Sequence, residues 1–152
     1  MEKPSFDRYY NLWLLLSQTR SAIFKVRHKK IGQYLPPNQA AALISIWKME
    51  GRITPLQLSR RLFLEPHTVS EIVSRIEKRG LVTKEKERHL GNTVRIIITE
   101  KGIEICKKAM GQNLIGDYMS RLSEKQRNHL KESLLILYNA ALDDLGFPGQ
   151  EL

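Results

Sequence analysis

Between Pro66 and Gly80 the chain reads PHTVSEIVSRIEKRG, with its aliphatic residues at Val69, Ile72, Val73 and Ile76. That i, i+3, i+4, i+7 spacing puts four side chains on one face of a helix. Pro66 suits the first helical position, where its missing N–H would be unpaired in any case. Gly80 ends the pattern, and the β-prone Leu81-Val82-Thr83 follows at once. The opposite face carries His67, Thr68, Ser70, Glu71, Ser74, Arg75 and Lys78: hydroxyls, an imidazole and charges with no core to serve.

Upstream, residues 5–31 read as one long helix. Phe6, Tyr9, Trp13, Leu16 and Ile23 make one apolar stripe, and Leu12, Leu15 and Val26 make a second beside it, so much of the circumference wants burial. A terminal helix of a small domain rarely hides that much in its own chain; a partner subunit can. Pro36-Pro37 breaks the pattern, and Asn38 can cap a second helix, apolar at Ala41, Leu43, Ile44, Ile46 and Trp47, that ends at Gly51. Thr54, Pro55 and Gln57 supply the parts of a capping box with the preferred proline. Leu56, Leu58 and Leu62 are expected to face inward from the short helix behind it.

Beyond Gly80 the segments LVTKEKE, RHLGN and TVRIIIT predict a β-hairpin with a charged tip. Val94, Ile96 and Ile98 alternate with Arg95 and Ile97, and Gly91-Asn92 signals the turn. Thr99 can cap a fifth helix running to about Leu122. Ser123 and Gln126 form a second capping box, opening a sixth helix of Leu130, Leu134, Leu137, Tyr138, Ala141 and Leu145 that Gly146 and Pro148 end.

Composition narrows the setting. The 152 residues suffice for one domain, and the formal charge of +9 with a pI near 9.8 points to a polyanion partner. Residues 1–51 carry 8 Lys/Arg against 3 acids, residues 52–102 carry 11 against 6, and residues 103–152 carry 6 against 7, so the last third adds nothing to a basic surface. A single cysteine excludes an internal disulfide and suits a reducing compartment. The N-terminus does not resemble a signal peptide, and no apolar run approaches the ~20 residues of a membrane span. The expectation is a cytoplasmic protein with no membrane association.

A capped short helix, a tight turn, a helix with a polar outer face and a two-stranded hairpin make a winged helix–turn–helix, a mainly α fold with a small β wing. The outer face would meet a major groove about 12 Å wide. Hydroxyls and imidazole suit base edges or phosphates, Arg75 can be bidentate to guanine, and Lys78 suits a phosphate. Lys84, Lys86, Arg88 and Arg95 lie where a wing reaches the backbone or the minor groove. Thr54 is a further candidate DNA contact.

The stretch TPLQLSRRLFLEPHTVSEIVSRIEKRGLVTK, continued by VRIIITEKG, resembles the core of the MarR family of bacterial transcriptional regulators. The matching parts are the L-x-x-x-L helix, P-x-T-V-S, R-x-E-x-x-G-L-V and the I-T-x-x-G that closes the wing. The resemblance covers essentially the whole chain. It implies one domain over 1–152, with the winged core at 36–102 and dimerisation helices at 5–34 and 103–146. It also implies a homodimer on a near-palindromic operator in double-stranded DNA, most often a repressor, and a small-molecule effector or an oxidant acting near the junction of the two parts. By position, His67, Thr68, Ser70, Ser74 and Arg75 would face the groove, while Phe6, Tyr9, Trp13, Leu16, Leu134, Leu137, Tyr138, Ala141 and Leu145 would serve the dimer. Two departures stand out. Where relatives carry an acidic–Arg–Arg run at the wing tip, this chain has Leu90-Gly91-Asn92, with Arg88 and His89 as neighbouring substitutes. At position 71, often basic in relatives, the Glu either repels phosphate or accepts from cytosine N4.

Blander readings stand beside these. The polar face of the helix can be merely solvated, and KVRHKK, residues 25–30, can be a solvated helix end whose cations favour the helix dipole. Cys106 shares an apolar face with Ile103 and Met110, which favours an inert buried thiol over a redox sensor. Trp13, Tyr34 and Trp47 are more simply core than the lining of a ligand pocket. The four histidines are scattered, no metal, dinucleotide or nucleophile motif is present, and no enzyme activity and no cofactor are expected. The alternatives to a sequence-specific regulator are a sequence-tolerant architectural DNA binder and a winged helix used as a protein-interaction module.

Overall fold

The computed structural model describes residues 7–31, 34–88, 91, 93–110 and 113–147. The chain divides into two compact units, residues 1–37 and 38–152. The first contains α1 (Arg8–Ile31). The Asp7 carboxylate accepts from the Tyr10 N–H at 2.7 Å and satisfies a first-turn donor; residues 5 and 6, where the apolar pattern begins, lie outside the described residues.

The second unit takes in, from its second residue on, α2 (Pro37–Lys48), then β1 (Arg52–Ile53), α3 (Pro55–Leu62), α4 (Pro66–Lys78), β2 (Val82–Glu87), β3 (Thr93–Ile98), α5 (Glu100–Met110), α6 (Leu114–Met119) and α7 (Glu124–Asp144). A proline opens α2 one residue before the predicted cap, and Asn38 instead accepts locally from the Gln39 N–H at 2.8 Å. The strands form one antiparallel sheet of order β1-β3-β2. Register runs from Val82 opposite Ile98 to Glu87 opposite Thr93, with Ile53 opposite Ile96 on the other edge. Alternation then sends Ile53, Ile96 and Val82 into the core, where they join Leu43, Ile46, Leu58, Val69 and Ile76.

Both capping boxes form, Thr54 with Gln57 and Ser123 with Gln126. Three expectations need correction. The strand β1 adds a third member to the predicted hairpin. The single fifth helix is two, α5 and α6, on either side of residues 111–112. Leu56 is 56% exposed, since a helix of two turns has room for one inward line and Leu58 occupies it. At the far end Gly146, at φ +71, closes α7 with Gly146 N–H to Asp143 and Phe147 N–H to Leu142.

Candidate nucleic-acid interface

The turn between α3 and α4 is only three residues long and sets the placement of α4. Phe63 takes a left-handed conformation there (φ 53°, ψ 41°), costing roughly 1–2 kcal/mol for an L residue. Ser59 braces the turn twice: its carbonyl accepts from Leu64 N–H at 3.1 Å, and its hydroxyl donates to the Leu64 carbonyl at 2.6 Å. The Phe63 ring meets Tyr138 of α7 edge-on, centroids 6.3 Å apart, and Arg60 lies 5.3 Å over the Phe147 ring. These contacts tie the front of the helix pair to the C-terminal helix.

On α4 the apolar stripe is buried; away from it His67, Ser70, Glu71, Arg75 and Lys78 are exposed, and Thr68 and Ser74 are half-buried. His67 Nε2 stands 3.4 Å from Glu71 Oε1, one helical turn on. Among the described residues neither Arg75 nor Lys78 enters an ion pair, so both cations remain available to an outside anion. The helix ends at Gly80 (φ +72°), where Gly80 N–H reaches Glu77 and Leu81 N–H reaches Ile76, the double closure that favours glycine. The Lys101 ammonium adds a bond to the Arg79 carbonyl at 2.9 Å.

The wing is joined to α4 at a compact hub. Thr99 donates its hydroxyl to the Gly80 carbonyl at 2.7 Å and accepts from Gly102 N–H at 3.1 Å, while its own N–H reaches Leu81 O at 3.0 Å. A Cβ on Gly102 would stand 2.3 Å from Leu81 O, so α5 can approach the strand only with glycine there. Two of the recurring motif elements, the Gly of G-L-V and the I-T-x-x-G, are thus architectural.

The wing's cations divide into those held in ion pairs and those that enter none among the described residues. Lys84 pairs with Glu77 of α4 at 2.8 Å. Arg95 Nε reaches Glu87 Oε2 at 3.1 Å, and Arg52 of β1 pairs with the same carboxylate. The Arg95 hydrogen bond, against some desolvation and with help from Arg52, holds the Glu87 carboxyl below its ordinary range. Arg95 is half-buried in this contact, where an outward-reaching cation was expected; Lys86 and Arg88 are exposed. The Thr54 hydroxyl is occupied by its capping box, accepting from Gln57 N–H at 3.1 Å. His89, Leu90 and Asn92 lie outside the described residues, as does Phe6; of the departing wing tip only Gly91 is described, at φ +67°. The sequence reading missed Arg52 and Glu87; the available signal was the alternation that sets Glu85 and Glu87 on the same face as Arg95.

Of the residues assigned to a dimer, Tyr9, Trp13, Leu134, Leu137, Ala141 and Leu145 are exposed, Leu16 is half-buried, and Tyr138 is half-buried beneath Phe63. Leu12, Leu15 and Ile136 are exposed as well. Cys106 is buried, and desolvation pushes its thiol up to about 11. Among the described residues no three metal-binding side chains cluster, and no helix is long and apolar enough to cross a membrane.

A helix pair with a short turn, an apolar inner and polar outer face on the second helix, and a three-stranded sheet behind it define a winged helix–turn–helix protein. A family model described as MarR family matches residues 35–89. The chain is 30% identical over 87 residues to the HTH-type transcriptional regulator SarZ of Staphylococcus haemolyticus, an alignment spanning 56% of this chain but only 58% of that protein's length. Among solved structures, the organohalide-sensing transcriptional regulator RdhR with 2,4-dichlorophenol bound is 28% identical, with a TM-score of 0.77 over 93% of this chain and 88% of that one. A DNA complex of MepR from S. aureus, 16% identical, shares the fold with a TM-score of 0.75 over 89% of this chain and 99% of that one. The chain is thus similar to the MarR family over residues 35–89, and it shares the fold of a transcriptional regulator over 93% of its length.

Proposed function

We propose that this protein is a cytoplasmic transcriptional regulator that binds double-stranded DNA sequence-specifically as a homodimer. In this reading it represses from a near-palindromic operator and is released by a small molecule. The observation that carries it is the outward stripe of α4, which has no apolar residue on it and whose Arg75 and Lys78 enter no ion pair among the described residues. A protein-interaction module would need the opposite, an apolar outer face. The relatives support the reading: SarZ is named a transcriptional regulator, RdhR senses organohalides, and MepR was solved on DNA.

Dimerisation is supported by the exposed aromatic and aliphatic side chains of α1 and α7, which a second copy would cover. Two recognition helices related by a two-fold axis would then enter successive major grooves about 34 Å apart. For the signal, thiol oxidation is disfavoured. The chain's one cysteine is buried, and at neutral pH its high pKa leaves almost none of the reactive thiolate. A bound small molecule fits better.

The test is fluorescence-anisotropy binding of the full chain to the DNA upstream of its own gene, to a duplex pool of random sequence, and to a scrambled control. A preference of ~10³ or more for one site over the control is the expected result. Equal affinity for every duplex would make it an architectural binder. Absence of binding would return the fold to protein interaction.

A further inference from the structure

Glu71 is an acid on a face that should meet a polyanion. Its place on α4 decides what it can touch. At about 100° per residue, the line directly opposite the buried Val69–Ile76 face runs between Ser74 and Glu71, with His67 and Lys78 almost on it. Thr68 and Ser70 lie about 70–90° to either side. When such a helix enters the major groove, the flanking positions face the walls, where the phosphates are. The outermost line faces the base edges. Glu71 is therefore directed at the floor of the groove, away from the phosphate oxygens that would repel it. Its carboxylate is half exposed and leans toward His67, on the N-terminal half of the helix that reads bases in this docking mode. Arg75 sits at the same spacing on the other side and makes no ion pair with it among the described residues, so the acid is not present to neutralise that arginine.

We infer that Glu71 is a specificity-determining residue, selecting cytosine by accepting a hydrogen bond from its N4 amine; this rests on the DNA-binding reading above. In the major groove only cytosine N4 and adenine N6 offer donors. Beside its amine adenine presents the N7 lone pair, which would oppose the second carboxylate oxygen. Beside cytosine's amine is a C–H, which does not. Guanine O6 and thymine O4 are acceptors and are rejected outright. An acid here thus does double service: it reads C and penalises every other base, as well as any non-specific approach that slides the helix toward a phosphate.

The experiment is selection from a randomised duplex pool with the full-length wild type, Glu71→Gln and Glu71→Ala, followed by anisotropy on the selected duplex and its single-base variants. Wild type should show one position per half-site where cytosine is preferred by roughly 5- to 150-fold. Glu71→Gln should move that position to adenine, which an amide reads bidentately at N6 and N7, and leave the rest of the motif intact. Glu71→Ala should lose the preference there and bind scrambled duplex more tightly than wild type. The three proteins enriching one and the same motif would overturn the inference while leaving sequence-specific binding in place. A wild type that enriches no motif would remove the DNA-recognition reading itself, and the inference with it.

Discussion

In α4, Val69, Ile72, Val73 and Ile76 are each at most 2% exposed, whereas in α1 Tyr9, Leu12, Trp13 and Leu15 are each 59% exposed or more. Both helices carry enough aliphatic and aromatic surface to drive packing, at roughly 1.5–3 kcal/mol per large side chain buried. In α4 that energy is collected within the chain and spends itself on orientation: the polar stripe faces outward because the other side is anchored. In α1 it is still uncollected. The difference teaches that an apolar stripe declares a need for cover and is silent on who supplies it. Where the chain does not, a second copy is the simplest source.

That contrast can be broken by substitution. Ile76→Ala should cost the most, about 2–5 kcal/mol of unfolding free energy by urea denaturation, because it opens a cavity in a closed core. Trp13→Ala should leave the fold of the second unit unchanged and weaken self-association by about 2 kcal/mol, some 30-fold in sedimentation; a monomeric wild type at micromolar concentration would end the argument for α1. Arg75→Ala probes the remaining face of α4. It should lower affinity for the preferred site by about 1–3 kcal/mol with stability nearly unaltered. The smallest effect concerns Glu87. Its carboxyl is held below the ordinary range, so its share of stability is fully present above the unfolded pKa, near 4.3, and is lost as pH falls through the lowered folded value. The stability difference between wild type and Glu87→Gln should accordingly narrow on acidification; a constant difference would mean that the arginine contacts contribute nothing.

Much of this was legible in the residues. The α4 stripe, both capping boxes and the glycine stops at Gly80 and Gly146 are local signals, and each formed where its side chains dictated. What escaped was non-local. At two residues β1 is too short to show any period, and it exists because β3 offers an edge for Arg52 and Ile53. Leu56 looks inward by composition, but which line of a short helix faces the core depends on what lies beneath it. Arg95 looked free for DNA because its partner Glu87, 8 residues away in sequence, and Arg52, which shares that carboxylate from 43 residues away, are brought to it only by the register of three strands. Gly102 was visible as a motif letter; its reason, the carbonyl of Leu81, was not.

The clamp of two arginines on Glu87 also changes how the protein's charge should be counted. Binding to DNA releases condensed counterions in proportion to the phosphates neutralised, about 0.9 ion for each. A cation already committed to an internal carboxylate displaces none of them. Arg52, Arg95 and Lys84 are committed in this way, so a plot of log affinity against log salt should be shallower than the count of 25 Lys and Arg suggests. The number of ions released would then measure the cations that reach phosphates, Arg75, Lys78, Lys86 and Arg88 being exposed candidates, and not the basicity of the chain as a whole.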